Sequence, residues 1–139
     1  MRTSILQQPM ALRVATWIVV LLAIGPLFFP LEWLFHIFSD KHPVIHRMRE
    51  LGATPKALWV LCGPLAVTTI FLLNRHPLLG FAACALLAAL YIPIAIVLWG
   101  QFSLGCWAAI AAVIFAGIGA VVSWRANNSS KRTRVPRAT

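Results

Sequence analysis

Glu32, His36 and Asp40 stand at i, i+4 and i+8, which on a continuous helix puts two carboxylates and an imidazole on one face. Such groups ligate divalent cations and relay protons, so Glu32, His36 and Asp40 form a candidate metal site. His42 and His46 follow, and with His36 they form a candidate cofactor-binding set, because imidazole is a common axial ligand of haem iron. Pro43 interrupts the helix before His42 and His46 can join the first pair. An equally good reading makes His42, His46 and Glu50 a solvated helix face. No cofactor is favoured by these residues alone, and no pattern for a catalytic nucleophile and base is present.

The elements that would position these groups are set by apolar runs. No charged side chain occurs between Arg75 and Arg125, a stretch long enough for two bilayer crossings at roughly 20 residues each. The 139 residues are 60% hydrophobic and 11% charged, a balance expected of an integral membrane protein and not of a soluble domain. That length leaves no room for a separate soluble catalytic domain, so any chemistry would sit within or beside the bilayer, and without a catalytic motif the expectation is a non-enzymatic protein. The net charge of +9 is carried at the borders of the apolar runs, which points to anionic lipid headgroups and away from nucleic acid. Cys62, Cys84 and Cys106 lie in separate apolar segments at no metal-binding or disulfide spacing, and read as small hydrophobes.

The expected architecture is all-α, with four transmembrane helices in up-and-down order at about 15–35, 56–73, 78–99 and 104–124. A cytoplasmic segment, 1–13, precedes this membrane domain of 14–125, and a basic tail, 126–139, is expected to be disordered. The first span reads as a retained signal anchor, since Gly25-Pro26-Leu27-Phe28-Phe29-Pro30 is unlike a cleavage site. Pro26 and Pro30 are expected to kink it. Between the first two spans, Pro43 suits the first turn of a short amphipathic helix. Val44, Ile45, Met48 and Leu51 would share its apolar face along the membrane surface, with His46, Arg47, Arg49 and Glu50 toward water.

Tryptophan favours the headgroup level, and the up-and-down order places Trp33, Trp59, Trp99 and Trp107 at one membrane face and Trp17 and Trp124 at the other. Arg2, Arg13, Arg75, Arg125, Lys131, Arg132, Arg134 and Arg137 collect on the second face, against Lys41, Arg47, Arg49 and Lys56 on the first. The positive-inside rule then puts both termini in the cytoplasm, with a bacterial inner membrane as the expected location. Lipid contacts are expected from Trp33, Trp59, Trp99, Trp107, Arg125, Lys131, Arg132 and Arg134. His36 and the remaining histidine, His76, fall near opposite faces, so haem ligation would need a second subunit.

Helices in lipid associate through close packing at small residues. Ala108, Ala112, Ala116 and Ala120 repeat every fourth residue on the last span, and Gly80, Cys84 and Ala88 offer a similar stripe on the third. The two stripes are expected to face each other or a partner subunit. Spans two to four hold no ionisable group suited to ion coupling, only Thr68, Thr69 and Tyr91, leaving Glu32 as the one candidate membrane-embedded acid. Two local resemblances stand out. Arg49-Glu50-Leu51-Gly52-Ala53-Thr54-Pro55 resembles the segment by which ABC-type permeases dock on their ATPase. Phe71-Leu72-Leu73-Asn74-Arg75 is similar to a hairpin of the flippase-like GtrA family, although the long first loop departs from that pattern. The function expected on these grounds is a small accessory or anchoring subunit of a larger inner-membrane complex, packing with other membrane subunits. The alternatives are a homo-oligomeric transporter or lipid flippase, and a haem- or quinone-binding anchor of an electron-transfer complex.

Overall fold

The computed structural model describes residues 8–35, 37 and 43–132, all of whose regular elements are α-helices. In chain order these are α1 (Met10–Phe35), α2 (Pro43–Glu50), α3 (Ala53–Arg75), α4 (Pro77–Trp99) and α5 (Leu104–Arg132). Four of them, α1, α3, α4 and α5, are long and apolar enough to cross a membrane. At about 1.5 Å per residue, even a 23-residue helix such as α3 or α4 exceeds the roughly 30 Å of a hydrocarbon core.

Local chemistry explains where the helices begin and end. Pro77 takes the first turn of α4, where its missing N–H is not needed, and His76 is the single residue between α3 and α4. His76 adopts a non-helical φ of −136°, and its N–H still donates to Leu72 O at 2.7 Å, so α3 closes and α4 opens on one residue. Gly100 ends α4 with φ +70°, a left-handed conformation that glycine adopts without a Cβ penalty. Its N–H donates to Ile96 O at 2.8 Å. The hydroxyls of Thr68 and Thr69 bond back to Pro64 O and Leu65 O, which satisfies them within α3.

The long helices form a closed ring in which α1 packs on α3, α3 on α4, α4 on α5 and α5 on α1. The two ends of this ring are distinct. Gln8 Nε2 donates to Asn74 O at 2.9 Å, joining the start of α1 to the end of α3. At the opposite end α2 lies under α4, with Arg47 so close to the α4–α5 turn that a Cβ at residue 100 would lie 2.5 Å from its Nη1. Ile45 and Met48 are buried, and Val44 and Leu51 pack on the same core. The apolar face of α2 is therefore used by the bundle itself, where a face turned to lipid had been expected.

Glycines set how closely the helices approach. A Cβ on Gly80 would fall 2.6 Å from the backbone of Leu73, so α3 and α4 touch backbone to backbone there. Gly80 thus packs against α3, where a stripe facing α5 or a partner subunit is expected from the sequence. The α4–α5 contact runs instead through pairs such as Phe81 with Gly117 and Tyr91 with Gly105. Cys84 and Ala88 are buried on α4, and Ala112, Ala116 and Ala120 on α5, whereas Ala108 is only half-buried and Ala109 takes the inner position. A four-residue repeat precesses about 40° per step around an α-helix, so a strict ladder cannot stay on one face.

The last helix also runs further than the apolar pattern. It continues through Arg132, so 126–132 are helical where an irregular tail had been expected, and 133–139 lie outside the described residues. The first proline after Trp124 is Pro136, and Ser129 Oγ bonds Arg125 O at 3.1 Å in helical register.

Candidate functional site

The polar centre of the fold lies where the end of α1 meets α2 and the start of α3. Glu32 comes from the last turns of α1 and is 1% exposed, yet its Oε1 accepts from Arg49 Nη2 at 2.8 Å. Arg49 reaches it because Ile45, Met48 and Arg49 are related as i, i+3 and i+4, so the arginine shares the inward face of α2. The expectation that Arg49 faces water is corrected on that ground. Lys56, in the first turn of α3, donates to Arg49 O at 3.0 Å and sits 5.7 Å above the Trp33 ring. The buried carboxylate is thereby tied to Arg49, which Lys56 holds through the backbone.

Beside this cluster the aromatic core is continuous. Trp59 packs edge-on to Phe29 with centroids 5.5 Å apart and against Tyr91 at 5.1 Å. At 3% exposure Trp59 is inside the bundle, which corrects its expected role as a lipid contact. Its ring also reaches α1 at Gly25, where a Cβ would lie at van der Waals distance, 3.4 Å, from Trp59 Cζ2. Trp33 is half-buried beneath Lys56, and the indole N–H groups of Trp33 and Trp59 are both buried without a hydrogen-bond acceptor among the described residues. Trp99 and Trp107 are exposed at this same end, Trp107 stacked edge-on with Phe102 at 5.1 Å.

The candidate ligand sets are only partly described. His36, Asp40 and His42 lie outside the described residues, so of the metal set Glu32 alone is placed, and of the cofactor set His46 alone. His46 Nδ1 lies 3.3 Å from Glu50 Oε2, both side chains about two-thirds exposed, a solvated i, i+4 pair on α2. Among the described residues no three His, Cys, Asp or Glu side chains come together to hold a metal ion. Cys62, Cys84 and Cys106 are buried free thiols.

A second polar feature stands at the other end of the ring, and sequence reasoning had assigned it no role beyond its charge. A cleft of about 400 Å³ opens between the α3–α4 turn and α5, lined by Arg75, His76 and Leu79 on one side and Ser123, Trp124 and Asn127 on the other. Because α5 does not stop at Trp124, its next turn adds Asn127 to this lining. Arg75 is exposed and stacks on Phe71 with its Cζ 4.8 Å from the ring centre. Arg125, on the same end, is exposed outside the cleft, while the placement of the Lys131 and Arg132 side chains and of Arg134 lies outside the described set.

The fold and its polar ends define an all-helical protein with four helices long and apolar enough to span a membrane, closed at one end by a short amphipathic helix. No protein-family model, curated protein or solved structure matches the chain.

Proposed function

We propose that this protein is a small, non-catalytic accessory or anchoring subunit of a larger inner-membrane complex. The observation that carries the reading is Glu32. The single charged side chain buried among the described residues is already engaged by Arg49 at 2.8 Å, so it acts as a structural tie between α1 and α2 and is not held ready for a substrate. The rest of the core is apolar or small, with Cys62, Ala66, Cys106, Ala112 and Ala116 almost fully buried. Many large apolar side chains point outward from the helices, among them Leu21, Leu61, Phe71, Leu86, Ile114 and Ile118, and suit lipid or the helices of another subunit. Basic residues collect at the end that holds the α3–α4 turn, and on the positive-inside rule both termini are cytoplasmic.

The test is purification of the tagged full-length chain from its native membrane in mild detergent, followed by mass spectrometry and an absorption spectrum. A defined set of co-purifying membrane proteins is the expected result. Isolation of the chain alone as a homo-oligomer would overturn the subunit reading in favour of a transporter or flippase. A Soret band or bound quinone would favour an electron-transfer anchor.

A further inference from the structure

The chain's three acidic residues all lie between positions 32 and 50, and the two that are described, Glu32 and Glu50, belong to the α2 end of the bundle. The opposite end therefore carries Arg75 and Arg125 with no acidic side chain among the described residues to balance them. Both are exposed and open to an anion from outside the chain. The cleft between the α3–α4 turn and α5 is built to take one. Four of the residues that line it make its polar rim, Arg75, His76, Ser123 and Asn127, all of a type able to donate to phosphate oxygens.

The remaining wall decides which anion. Leu78 and Leu79 line the cleft and are each 58% exposed, so the polar rim passes directly into the apolar flank of α4. Trp124 lies across from them on α5, also exposed, a side chain with an apolar body and one N–H donor that suits the headgroup level. A cavity of about 400 Å³ is within the roughly 300–1,000 Å³ of small-molecule sites. A soluble phosphate would use the rim and leave the apolar wall uncovered, whereas a phospholipid uses both.

We propose that this cleft binds the phosphate headgroup of an anionic phospholipid, with the acyl chains running along Leu78 and Leu79 on the outside of α4. The proposal rests on the membrane location advanced above and goes beyond it by naming a ligand and a site. Arg75 supplies the charge that selects an anionic over a zwitterionic headgroup, and Asn127 and Ser123 fix the phosphate between the helices.

The full-length protein in mild detergent is titrated with short-chain phosphatidylglycerol, short-chain phosphatidylcholine and glycerol 3-phosphate, and bound ligand is read by native mass spectrometry. Phosphatidylglycerol is expected to bind at least about tenfold more tightly than phosphatidylcholine. Arg75→Gln is expected to weaken it about tenfold, as for loss of one charge-assisted hydrogen bond. Arg125→Gln, on the same end but outside the cleft, is expected to change it less than about twofold. Equal losses in the two arginine variants would show diffuse charge attraction and overturn the site. Glycerol 3-phosphate binding as tightly as the lipid would overturn the lipid assignment. Should Arg75→Gln lose its helical circular dichroism, Asn127→Ala decides: a several-fold loss supports the cleft and unchanged binding removes it. Carbonate extraction of native membranes is measured separately, so that release of the chain as a soluble protein marks failure of the membrane reading, not of the cleft.

Discussion

Glu32 on α1 and Arg49 on α2 meet at 2.8 Å, the carboxylate 1% exposed and the guanidinium 26%. The pair spans the connection between the first long helix and the short one, and fixes α2 beneath the bundle where Met48 is 1% exposed. Breaking such a pair costs more than never having made it, because a carboxylate that stays buried loses a cation that stabilises it.

Arg49→Ala is therefore expected to destabilise the bundle by about 3 kcal/mol, with Arg49's partial access to water keeping the loss near the low end of the usual range. The double variant Glu32→Met with Arg49→Leu should recover most of it. Thermal unfolding in detergent followed by circular dichroism checks both. A double variant as unstable as Arg49→Ala would show that the loss comes from packing and not from the buried carboxylate.

Glycine in a helix interior normally costs about 1 kcal/mol relative to alanine, so Gly→Ala usually stabilises. At Gly80 the sign should invert, because the added methyl would meet Leu73 backbone atoms at 2.6 Å, which cannot move without separating α3 from α4. At Gly117 the same methyl would meet the Phe81 ring at 3.2 Å, a side chain able to shift by a few tenths of an ångström. Gly80→Ala is expected to lower the midpoint of unfolding clearly and Gly117→Ala little. Equal effects would contradict the backbone contact.

Tryptophans that look alike in the sequence should separate in their energetics. Trp59→Ala removes a ring packed between Phe29 and Tyr91 and should cost about 3 kcal/mol or more through the cavity it leaves. Trp107, 63% exposed, should cost under about 1 kcal/mol when truncated to alanine. Denaturant titration of both variants tests this, and a neutral Trp59→Ala would place that ring at the surface.

Cys62, Cys84 and Cys106 are each 1% exposed or less. Maleimide should leave all three unmodified in the folded protein and label all three after unfolding in dodecyl sulfate, as read by mass shift. Ready labelling of any one before unfolding would show that the helix carrying it faces outward at that position.

The sequence determined which segments become helices and roughly where they stop. The charge-free stretch after Arg75, Pro77 at the start of α4, Gly100 at its end and the prolines at 43 and 55 are local signals, and local backbone chemistry acts on them without reference to the rest of the chain. The Glu32 position was legible as the one acid inside an apolar run, but its partner was not, because Arg49 looks like a water-facing residue until α2 is docked. Helix faces were the least legible part. The long helices are apolar all round, so the pattern that marks the inner face of a water-soluble helix is missing, and lipid-facing and core-facing residues have the same chemistry.

Only the tertiary structure decided between them, by shape: Gly80 admits the backbone of α3, and Gly119 admits Leu12. It also decided that α5 continues past its apolar stretch, which adds Asn127 to a cleft lined by Arg75 and Ser123, residues far apart in sequence. Hydrophobic composition chooses the solvent of each helix, whereas close packing of small and large side chains chooses its neighbours.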